Sequence, residues 1–424
     1  MKRETVAIHE GYTKDSQKTM AVPIYQTTAY DFGNADFAAD SFNLKQGSDN
    51  IYTRIGNPTT SVLEKRFAKL EKGSASLAVS SGMSAIFYSI LNIAESGDNI
   101  IASSQLYGGT TTLFTHTLKR LGIEARFFNI DNPEEIEKLV DSKSKGIFFE
   151  SLSNPTITIA DIEKIAEIGN RHGLITIVDN TVATPILCNP IDFGIDIVVH
   201  SASKWTTGQG LAIGGIVVER EGLWKKIDGN PRYSQFYTPD ESYHGLKFTD
   251  EVARDALFTF RMRLILLRDT GAVLSPFNSW LFIQGLETLP LRVQRHSENG
   301  LAIAKFLESH PKVVAVNYPK LESSKYYELA KKYFPNGANG LLSFEVGDYE
   351  KAKKIVDSVE IFTLVANIGD SKSIITHPAS TTHQQLSESE LQQAGISAGL
   401  IRLSVGLENV DDLIQDLENS LNKV

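Results

Sequence analysis

The chain has 424 residues, 42% of them hydrophobic and 22% charged, which predicts a globular protein of two or three domains. Its formal charge is −9, which argues against a broad basic surface for nucleic acid or anionic membrane. One cysteine, Cys188, leaves no intrachain disulfide and fits a reducing compartment. The longest apolar run, residues 211–218, is far short of the ~20 residues a membrane helix needs. Residues 1–15 carry Glu4, Glu10 and Asp15 and have no apolar core of the kind a signal peptide has. A soluble, cytoplasmic protein is therefore expected.

Residues 1–55 read as a polar arm dotted with rings, including Tyr12, Tyr25, Tyr30, Phe32, Phe37, Phe42 and Tyr52. That is too many rings for a disordered tail, so the arm is expected to lie on the body or on a partner subunit. From residue 56 the pattern alternates. Helical spacing over 60–70, 83–94, 110–121, 133–142 and 159–172 is interleaved with strand-like runs at 77–79, 99–103, 125–130, 146–150, 174–179 and 195–200. Such alternation predicts an α/β fold with a large, mostly parallel sheet covered on both faces. Residues 220–265 are polar and aromatic and read as a long surface excursion. An amphipathic stretch follows over 274–308. Short strands at 341–345, 361–364 and 400–405 then alternate with helices, predicting a smaller C-terminal α/β domain. The expected division is an arm at 1–55, a large domain at 56–273 and a C-terminal domain at 274–424.

Lys204 follows the apolar strand 195–200 directly, in Ser201-Ala202-Ser203-Lys204-Trp205. Open α/β sheets place their ligands at this position, outside the carboxyl ends of the strands. A desolvated amine there has a lowered pKa and can attack a carbonyl to form a Schiff base. A surface lysine in a turn is the plainer alternative. Asp179 ends the strand before, and could pair with a pyridinium nitrogen or simply cap a turn. Ser80-Ser81-Gly82-Met83 joins a short strand to a helix, where a phosphate could meet free N–H groups. Gly208-Gln209-Gly210 with Gly214 runs into a strand-like segment, 213–218, rather than a helix, which argues against a dinucleotide fingerprint. Arg402 and Ser404 share one face of the strand 400–405. Arg402 there could fork onto a carboxylate or stand as a charge on an edge strand. His377 and His383 have no Cys or acidic partners at ligand spacing; they read as hydrogen-bonding loop residues and no metal is expected.

These residues sit in a wider set of segments. The set comprises Y-T-R-I-G-N-P-T at 52–59, S-S-G-M at 80–83, Y-G-G-T at 107–110, S-N-P-T at 153–156, V-D-N-T at 178–181, H-S-A-S-K-W at 200–205 and R-L-S-V-G-L-E at 402–408. Over nearly the whole chain the sequence resembles the Cys/Met-metabolism family of pyridoxal-phosphate enzymes, which share the aspartate-aminotransferase type of fold. The resemblance is strongest to the O-acetylhomoserine sulfhydrylase branch. Y-H-G-L at 243–246, A-N-I-G-D-S-K-S at 366–373 and H-P-A-S-T-T-H at 377–383 carry it, together with Gly109 where the methionine γ-lyases usually have cysteine. Ser203 stands where the family usually has threonine, and Thr206 where it usually has an aliphatic residue.

The resemblance implies that Lys204 holds pyridoxal 5'-phosphate and shuttles protons. It implies that Asp179 binds the pyridine nitrogen and Tyr107 stacks on the ring. Ser81, Gly82, Met83, Ser201 and Ser203 would surround the phosphate, and Tyr52 and Arg54 would reach it from a neighbouring subunit. Asn154 would touch the cofactor or the substrate, and Arg402 with Asn367 would clamp the substrate carboxylate. The implied reaction replaces the acetyl ester of O-acetylhomoserine with sulfide, giving homocysteine for methionine biosynthesis. The alternatives are γ-elimination to 2-oxobutanoate and γ-replacement with cysteine. The implied assembly is a homo-oligomer, with the dimer as smallest active unit and a tetramer as the common state, whose partners are small-molecule substrates.

Overall fold

The computed structural model describes residues 1–44, 50–243, 245–251, 254–381, 384 and 395–424. His244, Thr382 and His383, which belong to segments named above, lie outside the described residues.

Seven strands form the first sheet: β1 (Ala75–Val79), β2 (Asn99–Ser103), β3 (Glu124–Phe128), β4 (Ser144–Glu150), β5 (Ile175–Asp179), β6 (Ile197–Ser201) and β7 (Gly215–Glu219). Their spatial order is β1-β7-β6-β5-β4-β2-β3. β3, β2, β4, β5 and β6 run parallel, and β7 is antiparallel to both β6 and β1. Strands such as Ile175–Asp179 are buried at nearly every position because helices cover both faces, so there is no water-facing side to alternate with. β7 occupies the stretch after the glycines at 208–214. Those glycines thus lead into a strand, as the sequence implied.

Five strands form the second sheet: β8 (Ala315–Asn317), β9 (Leu341–Glu345), β10 (Thr363–Leu364), β11 (Ile374–Thr376) and β12 (Leu400–Ser404), in the order β10-β11-β12-β9-β8. β12 pairs with both β11 and β9. Arg402 is therefore on an interior strand, which removes its reading as an edge charge. Among the helices are α1 (Arg3–His9), α2 (Pro58–Leu70), α3 (Gly82–Leu91), α4 (Ile162–Arg171), α5 (Pro276–Ser309), α6 (Tyr349–Ser358) and α7 (Val410–Leu421). α5 joins the two cores. Phe282, Ile283, Leu286, Leu289 and Val293 pack into the core of the seven-stranded sheet, while Ile303, Ala304 and Leu307 pack into that of the five-stranded sheet.

The first 55 residues include a helix that lies on the body: α1 buries Val6 and Ala7, and Arg3 donates to Ile186 O and Asn189 Oδ1. A second helix covers Ala35–Phe42. Beyond α1 the arm keeps Met20, Ile24, Tyr25, Phe37, Phe42 and Tyr52 exposed. The excursion at 220–265 is more buried than its composition suggested. Tyr233, Phe236 and Phe248 are completely buried, as are Phe258 and Met262. Tyr233 can be buried because its hydroxyl accepts from Ile175 N (2.7 Å) and donates to Lys145 O (2.6 Å). Arg261, beside Phe236, donates to the side chain and the carbonyl of Asn92. The polar residues that flank these rings hid a core segment.

Candidate active site

A cavity of about 500 Å³ opens where the carboxyl ends of β4, β5 and β6 face the second sheet. Ser81, Gly82, Met83, Tyr107, Asn154, Asp179, Ser201, Ser203, Lys204, Asn367 and Arg402 all line it. Tyr52 and Arg54 do not. They lie side by side on the arm, with the guanidinium over the Tyr52 ring and bonded to Arg268 O.

Three elements build the floor. Ser81 caps α3, its Oγ accepting from Ser84 N at 3.0 Å, so the first N–H groups of that helix face the cavity. Position 82 must be glycine because a Cβ there would stand 2.6 Å from Ser201 Cβ. β6 and the start of α3 can therefore approach closely. Ser203 Oγ accepts from Gly214 N at 3.0 Å, which fixes the turn leading to Lys204. Thr181 ties the neighbouring strand ends together: its N–H donates to Asp179 Oδ1 (2.9 Å) and its Oγ1 accepts from Ser201 N (2.8 Å).

Lys204 is half-buried, and its Nζ donates to Asn367 Oδ1 at 2.8 Å. Burial, and then the positive charge of Arg402, pull its pKa below the usual lysine range. Asp179 opens to the cavity at the end of β5, and burial raises its pKa against the lowering effect of its bonds to Thr181. Arg402 is 4% exposed. Its guanidinium donates to Asn154 Oδ1 (3.0 Å), Asn367 O (3.1 Å) and Thr376 Oγ1 (3.1 Å), and burial pulls its pKa down to about 10. Its Nε is buried and has no hydrogen-bond partner among the described residues. A buried donor on a cation without a carboxylate suits an anionic ligand. Among the described residues no three His, Cys, Asp or Glu side chains are grouped so as to hold a metal ion.

Sequence reasoning missed three residues here. Glu150 lines the cavity at the end of β4, directly across from Asp179 in the strand register. Its Oε1 accepts from Tyr107 N (2.6 Å) and its Oε2 from Asn154 N (3.2 Å). Burial, and then the charge of Asp179, raise its pKa well above the carboxylate range. An acid closing an apolar run was the available signal, the same one that marked Asp179. Thr181 and Thr376 carried no comparable signal. His377 is buried and bonds Ser380 Oγ and Ala398 O, a structural placement.

This set fits pyridoxal phosphate chemically. It offers helix N–H groups and hydroxyls for a phosphate, an amine for an aldehyde, and a carboxylate at a strand end for a pyridinium.

Comparison with known proteins agrees. The chain is 46% identical to the O-acetyl-L-homoserine sulfhydrylase of Leptospira meyeri, covering 100% of this chain and 97% of the relative. It is 45% identical to the homocysteine/cysteine synthase of Kluyveromyces lactis, over 99% and 97%. It superposes with a TM-score of 0.97 on a crystal structure of the putative O-acetylhomoserine (thiol)-lyase of Campylobacter jejuni, at 53% identity and full coverage of both chains. A lysine of that structure carries pyridoxyl monophosphate. The family model of Cys/Met metabolism PLP-dependent enzymes matches residues 4–422, and the chain belongs to that family.

Proposed function

We propose that the chain converts O-acetyl-L-homoserine and hydrogen sulfide into L-homocysteine and acetate, with pyridoxal phosphate held at Lys204. The observation that carries this reading is the placement of Lys204 and Arg402 on either side of Asn367, with Arg402 Nε buried and unpaired. When bound, the cofactor supplies an electron sink for the charge left at the substrate's α carbon.

The chain's own residues do the rest. Ser81, Gly82, Met83, Ser201 and Ser203 hold the phosphate, the α3 N-terminus adding its partial positive charge. Asp179 holds the ring nitrogen and Tyr107 lies against the ring face. Arg402 receives the substrate carboxylate, and Asn154 and Asn367 set the angle of its fork. Fixing the carboxylate fixes where the Cα–H bond points. Lys204 Nζ, freed from the cofactor by the substrate's amine, takes that proton. Burial, and then the charge of Arg402, shift it toward the neutral amine that the task needs. Exclusion of water by the bound substrate would slow the protonation that releases 2-oxobutanoate, leaving time for sulfide to add at the γ carbon.

Tyr52 and Arg54, exposed or half-exposed and away from the cavity, are proposed to complete the phosphate site of a neighbouring subunit. The exposed rings of the arm support this. The dimer is then the smallest active unit, and a homotetramer in the cytoplasm is the proposed assembly. The arm at 1–55, the large domain at 56–273 and the C-terminal domain at 274–424 belong to the same proposal. Incubating the holoenzyme with sulfide and either O-acetyl- or O-succinyl-homoserine tests the substrate. Homocysteine from the acetyl ester supports the proposal, and turnover of the succinyl ester alone contradicts it.

A further inference from the structure

Glu150 stands at the end of β4 with both carboxyl oxygens committed to backbone N–H groups of two separate segments. One is Tyr107, which opens the short helix Gly108–Thr112, and the other is Asn154, in the loop after β4. Both residues present their side chains to the cavity. Asn154 Oδ1 in turn accepts from Arg402 at 3.0 Å. A single buried carboxylate thus fixes the backbone beneath the ring-stacking tyrosine and beneath the amide that orients the arginine fork. Asp179 is its register partner across β4 and β5. Glu150 is 6% exposed, and among the described residues its carboxyl forms no ion pair, so it is held by the two N–H groups.

We propose that Glu150 is a positioning residue that sets Tyr107 against the cofactor ring and, through Asn154, sets the carboxylate fork of Arg402. A carboxyl group does this at position 150 with or without its proton, because each oxygen keeps a lone pair for an N–H. A glutamine has the same shape but one acceptor oxygen, so its NH₂ would face one of the two N–H donors. An alanine would leave both N–H groups buried and unpaired. Two carboxyl groups then face the cavity with different tasks. Asp179, tied to Thr181, meets the cofactor's ring nitrogen, and Glu150 is occupied by the backbone of two other segments.

The inference rests on the cofactor reading above, and its test is chosen to stand apart from the choice of substrate. Glu150→Gln and Glu150→Ala are compared with wild type in three ways. The dissociation constant of pyridoxal phosphate is measured on cofactor-stripped protein. The visible circular dichroism of the bound cofactor reports how its ring is held. KM and kcat are measured for O-acetylhomoserine. Glu150→Gln is expected to weaken cofactor binding by roughly 10-fold, the effect of one lost hydrogen bond. It should reduce the dichroism and raise KM more than it lowers kcat, with the melting temperature of the cofactor-free protein close to wild type. Glu150→Ala should do more of the same. Wild-type affinity, dichroism and KM in Glu150→Gln would overturn the proposal. So would losses that only track a lowered melting temperature while the bound cofactor keeps its full dichroism. If the enzyme uses another substrate, KM for O-acetylhomoserine is uninformative in every variant, whereas affinity and dichroism still decide the role of Glu150.

Discussion

Replacing Arg402 removes the fork that the second sheet presents to the cavity. Arg402→Lys keeps the charge but offers one point donor in place of a planar pair, and Arg402→Met removes the charge as well. The guanidinium is buried and spends three of its five N–H donors on Asn154, Asn367 and Thr376, leaving Nε–H and one Nη1–H for a ligand. Losing one partner of a buried charged pair costs about 2–4 kcal/mol. At ~1.36 kcal/mol per decade that is roughly 30- to 900-fold in kcat/KM. Arg402→Lys should fall near the lower bound and Arg402→Met near the upper. The carboxylate is held in the ground state as well as the transition state, so most of the loss should appear in KM. The assay is steady-state homocysteine formation at saturating sulfide. A second readout follows from the charge: Arg402 lowers the Lys204 pKa, so Arg402→Met should move cofactor capture by the stripped protein to higher pH, and Arg402→Lys should move it less. An Arg402→Met enzyme within about threefold of wild type, ~0.6 kcal/mol, would refute the clamp.

Lys204→Ala should abolish turnover and the visible absorption of the bound cofactor together; keeping both would remove Lys204 from the reaction. Mixing inactive Arg54→Ala with inactive Lys204→Ala protomers should restore activity, because one site of each mixed dimer then has both wild-type residues. No recovery after verified subunit exchange counts against a shared site. Cys188 is buried and burial raises its thiol pKa, so an alkylating reagent at neutral pH should label it only after unfolding. Fast labelling of the native protein would contradict that. Burial pulls His296 down to about 4, from an unfolded value near 6.5. The folded state prefers the neutral ring, so the contribution is intact above pH 6.5 and is lost as pH falls toward 4. In denaturant titrations, the stability gap between wild type and His296→Asn should close in the variant's favour across that window, and a constant gap would exclude the effect.

The site residues that could be read from the sequence are those whose chemistry interrupts an apolar strand. Ile197–Ser201 is apolar until His200 and Ser201, and Ile175–Asp179 carries no charge until its last residue, so Lys204 and Asp179 stood out against their surroundings. Glu150 ends β4 in the same way. Its partners, however, are backbone N–H groups, 43 and 4 residues away, and these leave no mark in the sequence. Thr376 sits in a strand of three residues, too short for an alternating pattern to show. The 220–265 segment was misread because Tyr233 Oη and Arg261 Nη1 bond carbonyls 88 and 169 residues away. Composition registers the polar atoms, but their partners appear only in the fold.

The account's central claim is that a thiol reaches the γ carbon before the intermediate is released. The direct measurement is the ratio of homocysteine to 2-oxobutanoate formed from O-acetylhomoserine by the holoenzyme as sulfide is raised to saturation. The account predicts that homocysteine dominates at saturating sulfide, with 2-oxobutanoate as the minor product. If 2-oxobutanoate dominates even there, the cavity runs γ-elimination and the replacement chemistry proposed here is contradicted.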